Sequence, residues 1–239
     1  MNTVRWLAVA PTSPVSRTLV HFFPFSTAVT APYPCQCRLT VFGTGLETRE
    51  VLLDGARLGQ PDGVRLEDAF PELQHAGGDT ALPGLEITLE TTQQRADIRG
   101  SSCIVEILSS AGGRIARYRP ALLERCTTRR IGVPVVRDAF QSTVLFLTNA
   151  SPEAYAPVLR RVGPEGELAP VDVPAHPLPP GRTVEIGMPE GLLSAAGAME
   201  CSWGLLRSAA LYLDAPPAVA AFVGQRDPAT GALVSVRAL

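Results

Sequence analysis

Cys35 and Cys37 are separated by a single residue, Gln36. Alternate side chains of a strand point the same way, so this spacing offers two thiolates on one face. Joined by His21 or by Cys103, they would surround a tetrahedral metal such as zinc. The other reading of these cysteines is that of small apolar side chains in a core. The three histidines, His21, His75 and His176, form no i, i+4 pair and no His-Glu-x-x-His, and the chain has no Cys-x-x-Cys. No metal or cofactor is expected beyond the speculative set Cys35, Cys37 and His21. A nucleophilic triad needs a Ser or Cys, a base and an orienting acid. No Gly-x-Ser-x-Gly elbow is present, and Ser202 lacks flanking glycines. Glu86, Glu90 and Glu106 are candidate paired carboxylates, but in alternating strands they read as a solvated face. Gly43-Thr44-Gly45 lacks the third glycine of a dinucleotide fingerprint and reads as a hairpin turn. The sequence therefore names no catalytic residue.

The chain has no lysine; all 21 basic residues are arginine, against 23 acidic ones, for a net charge of −2. Schiff-base, lysine-base and P-loop chemistry are excluded, because each needs an ε-amine. The near-neutral balance provides no global field toward nucleic acid or anionic lipid. Local arginine clusters do occur, at Arg114, Arg117 and Arg119, at Arg125, Arg129 and Arg130, and at Arg160 and Arg161. Such groups recognise carboxylates or phosphates bidentately, or simply lie exposed. Trp203, Tyr212 and His176 are the candidate ligand-binding residues, the rings as stacking faces. His176 sits in Pro174–Gly181, which reads as a stiff polyproline-type loop.

The elements that must position these residues are strands. Short β-branched and aliphatic runs alternate with turn signals such as Asp54-Gly55, Pro61-Asp62-Gly63 and Gly163-Pro164-Glu165-Gly166. Leu85-Glu86-Ile87-Thr88-Leu89-Glu90 has the period of two of a half-buried strand, and Ile104–Leu108 the continuity of one buried on both faces. Strands are expected at Val4–Ala10, Thr18–Phe25, Val64–Glu67, Trp203–Arg207, Leu211–Leu213 and Ala218–Gln225, among others. Short helices are expected at Asp68–His75, Pro120–Cys126 and Pro189–Ala198. The chain also repeats itself. Gly84-Leu85 through Ala116 parallels Gly204-Leu205 through Val234, and Leu39–Gly45 parallels Leu145–Ala150, at a period of about 110 residues, which is domain size. The expected fold is all-β: two tandem, duplicated antiparallel β-sandwich-like domains, residues 1–130 and 131–239, joined around Cys126–Gln141.

The run Val144-Leu145-Phe146-Leu147-Thr148-Asn149-Ala150-Ser151-Pro152 is an apolar strand ending in Asn. Later come Arg182–Ile186 and Leu213-Asp214-Ala215-Pro216-Pro217-Ala218-Val219. This pattern resembles the β-sandwich of the sensory-rhodopsin-transducer-like proteins over about 100 residues of the C-terminal half. The resemblance implies a small sandwich that binds a partner or ligand and often oligomerises. It transfers no functional residue.

The expectation for function is a non-catalytic protein-interaction or assembly module, with a protein partner or self-association. The alternative is a small-ligand or carbohydrate binder with its site between the halves, and the third reading is an enzyme with an unrecognised site. No apolar run reaches the ~18 residues of a membrane helix. Pro11 and Pro14 cut the first apolar run short of a secretory signal. An odd count of five scattered cysteines fits reduced thiols in a cytoplasm.

Overall fold

The computed structural model describes residues 2–11, 16–23, 35–43, 46–53, 62–74, 83–92, 102–109, 113–123, 129–162, 165–171, 177–188, 192, 198–201 and 204–239. Every strand pairing within them is antiparallel. In the first half, β1 (Asn2–Val9), β3 (Gln36–Gly43), β4 (Leu46–Leu53), β6 (Gly84–Thr91) and β9 (Ala121–Leu122) make one sheet, in the order β4-β3-β6-β1-β9. A second sheet, β5-β2-β7-β8, is built from β2 (Ser16–Phe23), β5 (Val64–Arg65), β7 (Ser102–Ser109) and β8 (Arg114–Tyr118). Alternation fixes which side chains meet between them. Leu39, Leu85 and Ile87 point inward from the first sheet, and Val20, Val105 and Ile107 from the second, all fully buried. A short helix, α1 (Leu66–Ala69), and a 3₁₀ turn at Pro71–Gln74 follow β5, and Leu66, Phe70 and Leu73 enter the same core. The expected strand Val64–Glu67 is thus strand only at Val64–Arg65; Glu67 instead lies in α1, accepting the Thr18 N–H at 2.9 Å.

The second half contains β10 (Arg129–Arg137), β11 (Ser142–Asn149), β12 (Leu159–Val162), β13 (Leu168–Pro170), β14 (Arg182–Gly187), β15 (Ala198–Cys201), β16 (Gly204–Ala215), β17 (Val219–Arg226) and β18 (Leu233–Ala238). They form one continuous sheet, β13-β12-β16-β10-β11-β17-β18, with β14 on β11 and β15 on β16. Between β10 and β11 the strand pairing is confined to Arg137 with Ser142, and the Thr143 hydroxyl bonds the Val136 backbone beside it. On either side of that corner the two wings fold over a core of their own. Ile131, Val133, Leu211 and Leu213 come from one wing and Leu145, Leu147, Val219 and Ala221 from the other.

Strand for strand, the pairings of the two halves correspond. The order β4-β3-β6-β1 matches β13-β12-β16-β10, and β5-β2-β7-β8 matches β14-β11-β17-β18. The sequence parallels of β6 with β16 and of β7 with β17 join strands in matching places. The parallel of Leu39–Gly45 with Leu145–Ala150 does not, since β3 holds the place of β12 and β11 the place of β2. Two further expectations change. Ala121–Leu122 of the expected helix Pro120–Cys126 is strand, held by Trp6 and Leu7. The described part of the expected strand Trp203–Arg207, from Gly204 on, and Leu211–Leu213 belong to one long strand, because Ala209 and Ala210 are carried through by pairing with Val135 and Pro134.

The halves are fused by packing. Val144 and Phe146 of β11, Ala220 and Phe222 of β17, and Val236 of β18 lie on the outer side of their wing and join the core of the first half. The Tyr118 ring meets Phe222 edge-on at 5.8 Å. Its hydroxyl accepts the Val9 N–H at 3.0 Å and donates to the Val9 carbonyl, closing the open edge between β8 and β1. Gly84 allows the tightest approach, since a Cβ there would strike Phe42 and come within 2.5 Å of Thr183 Oγ1. The Arg182 guanidinium donates to the Gly43 carbonyl across the same seam.

Candidate functional site

Residues paired directly across a sheet share a face. The outer face of β5-β2-β7-β8 can therefore be read from its register. One row runs Arg65, Leu19, Glu106, Arg117. The next runs Arg17, Leu108, Arg114, and a third pairs His21 with Ile104. Arg17, Arg65, Arg114 and Arg117 are all exposed, while Leu19, Ile104 and Leu108 are half-buried.

Glu106 sits at the centre of this face and is 8% exposed. Its Oε2 lies 3.1 Å from His21 Nε2, and its Oε1 accepts from Arg114 Nε. A carboxylate only accepts, so the shared proton belongs to the imidazole nitrogen. Burial would raise the Glu106 pKa, but the hydrogen bonds and charges of Arg114 and His21 outweigh it and hold the carboxyl below its ordinary value. The His21 ring is seated by Gly63, whose φ of +66° suits glycine and where a Cβ would lie 2.8 Å from Nδ1. The guanidiniums of Arg17, Arg65 and Arg117 have no hydrogen bond or ion pair among the described residues.

The corresponding face of the second half solves the same place differently. Aligned on the inward pairs Val20–Val105 and Leu147–Ala221, the outward pair Leu19–Glu106 takes the place of Phe146–Phe222. Arg17–Leu108 takes the place of Val144–Gly224, and His21–Ile104 that of Thr148–Ala220. Where the second half is apolar and sealed against the first, the first half is charged and faces outward.

Of the metal candidates, Cys35 and Cys37 are buried free thiols, and so is Cys103. Burial pushes the Cys37 thiol well up, and proximity to Cys103 and Cys35 pushes it further; Cys103 is raised by burial as well. These are conditions for inert core thiols rather than thiolate ligands. His21 cannot complete the set. Cys103 points into the core of the first half, whereas His21 is on the outer face with Glu106, so the sheet lies between them. Among the described residues no group of three or more His, Cys, Asp or Glu is placed to hold a metal ion.

Of the ligand candidates, His176 and Trp203 lie outside the described residues. Tyr212 is half-buried on the outer side of β16, on the face that carries Asp214, so it does not line the seam between the halves. There Asp214 accepts two hydrogen bonds from Arg130, at 2.8 and 3.3 Å, with Arg160 at 3.7 Å. These bonds and charges lower its pKa. Tyr155 donates its hydroxyl to the Asp214 carbonyl at 2.7 Å, and burial, with the Asp214 charge, pushes its pKa up to about 12. Asp214 thereby ties β16 to Arg130 of β10 and to Arg160 of β12. The sequence reading picked out Arg114 and Arg117 as a cluster, but not Arg17 and Arg65, which reach the face from other strands.

No helix among the described residues is long and apolar enough to cross a membrane. No protein family and no curated protein matches the chain. Among solved structures, the tip adhesin CupB6 from Pseudomonas aeruginosa aligns over 99% of this chain and 88% of its own, at 6% identity and a TM-score of 0.18. A likeness of that size carries no argument about fold or function.

Proposed function

We propose that the chain is a non-catalytic binding module made of two copies of one ancestral sandwich. The second copy seals the first, and the first presents the outer face of β5-β2-β7-β8 to a protein partner or to another copy of the chain. The observation that carries the reading is the contrast between two equivalent faces. Phe146 and Phe222 are fully buried on one; Arg17, Arg65 and Arg117 are exposed on the other. In tandem arrays a terminal unit with a polar outer face ends the stacking and leaves that face to solvent. Free buried thiols at Cys35, Cys37 and Cys103 accord with a cytoplasmic location, and the resemblance to sensory-rhodopsin-transducer-like proteins implies the same class of module. A ligand site between the halves is the weaker reading, because the described part of the seam is filled by Phe42, Tyr118, Phe146 and Phe222.

The test is site-specific photocrosslinking in cells of the source organism. With benzoylphenylalanine in place of Arg65, illumination yields one discrete adduct, at twice the chain mass if the partner is a second copy. The same probe at Val162, exposed on the far half, yields none. Adducts at both positions, or at neither, overturn the reading.

A further inference from the structure

We infer that the partner reaches the outer face of β5-β2-β7-β8 with an extended acidic segment, in which carboxylates alternate with aliphatic side chains. This rests on the reading of that face as the working surface and adds the chemistry of what it holds.

The spacing comes from the sheet itself. Neighbouring strands lie about 4.8 Å apart, and like-facing residues along a strand about 6.8 Å. Arg65 and Arg117, at the two ends of one four-strand row, are therefore about 14 Å apart. Arg17 and Arg114 flank Leu108 in the next row. The face thus holds four guanidiniums against one strand carboxylate, Glu106, which is already engaged by His21 and Arg114. On a chain of net charge −2 this is a local basic field, and the remaining arginines have no described partner to neutralise them. Guanidinium forks match carboxylates bidentately. Between the arginines lie Leu19 and Leu108, with Ile104 beside Glu106 in the row of His21; all three are half-buried and outward and suit the aliphatic side chains of such a segment.

The site is a broad sheet face rather than a helix or two-stranded ribbon that would enter the groove of a nucleic-acid duplex.

The experiment is fluorescence anisotropy with a fluorescein-labelled decapeptide of alternating Glu and Val, titrated with the full chain. Saturable binding that weakens as salt is raised is expected. The triple variant R17Q/R65Q/R117Q, altered only at exposed side chains and checked for an unchanged Tm, loses about tenfold or more in affinity. The pair R130Q/R160Q, on the other half, leaves affinity unchanged. Peptide binding that the triple variant does not weaken overturns the inference. So does tighter binding, lost in the same variant, of oligothymidylate or of vesicles containing phosphatidylserine. Failure of every anionic probe, with the position-65 crosslink still forming, removes the acidic segment but leaves the outward face as the working surface. Loss of the crosslink as well removes both.

Discussion

Phe222→Ala lowers the unfolding free energy by about 3–5 kcal/mol, the range for truncating a fully buried aromatic side chain. Phe222 is 0% exposed, yet it lies outside the core of its own half. Its ring stands at 69° to that of Tyr118, whose hydroxyl ties β8 to the backbone of β1. The truncation removes the buried ring, the edge-on aromatic pair and the support that keeps Tyr118 against Val9. The two halves should consequently lose their coupling. Denaturant titration followed by far-UV circular dichroism is expected to resolve two transitions in the variant where the parent shows one. Phe140→Ala is the matched control. That ring is 65% exposed on the turn between β10 and β11, and its loss stays within about 0.5 kcal/mol. A Phe222→Ala cost below about 1 kcal/mol would mean the seam does not hold the halves together.

Asn149→Ala comes next, at about 3 kcal/mol. Asn149 ends β11 and is fully buried. Its Nδ2 donates to the carbonyls of Glu153 and Leu178, at 2.8 and 3.0 Å. Its Oδ1 accepts from the Ser151 N–H at 2.9 Å and from the Ser151 hydroxyl at 2.6 Å. Alanine leaves the Ser151 N–H unpaired and takes one of two donors from each of the Glu153 and Leu178 carbonyls, which keep the Ser151 hydroxyl and the Tyr155 N–H; the cost of desolvating a group left unpaired exceeds the net worth of the bond itself. Asn149→Asp retains the acceptor but removes both donors and buries a charge, so it is expected to destabilise at least as much. Thermal unfolding of the two variants separates this from a simple loss of volume, which would leave Asp nearly neutral.

The strands were legible because alternation is local. Leu85–Glu90 reveals its inward face in the residues alone, and Ile104–Leu108 falls within β7. What partners supply was not legible. Ala209 and Ala210 have little strand preference, and only β10 carries β16 through them. Leu39–Gly45 and Leu145–Ala150 look alike because both are apolar runs that end in a turn. Their places differ because each is set by strands far away in the chain. The Cys35–Cys37 spacing did put two thiols in one interior, but spacing could not show that His21 faces the other way. The arginine face was half visible. Arg114 and Arg117 are close in sequence, whereas Arg17 and Arg65 join them only through the register of β2 with β5 and β7. The signal that would have found them is an arginine at an outward position of each strand, usable only once the strand order is known.

Hydroxyl-radical footprinting of the purified chain measures which of the two matching faces meets solvent. Oxidation at Leu19, Ile104 and Leu108, with Val144, Phe146 and Phe222 protected until the chain unfolds, is the outcome expected of a sealed second copy and an outward first one. Equal labelling of both sets, or protection of the first and labelling of the second, would contradict it.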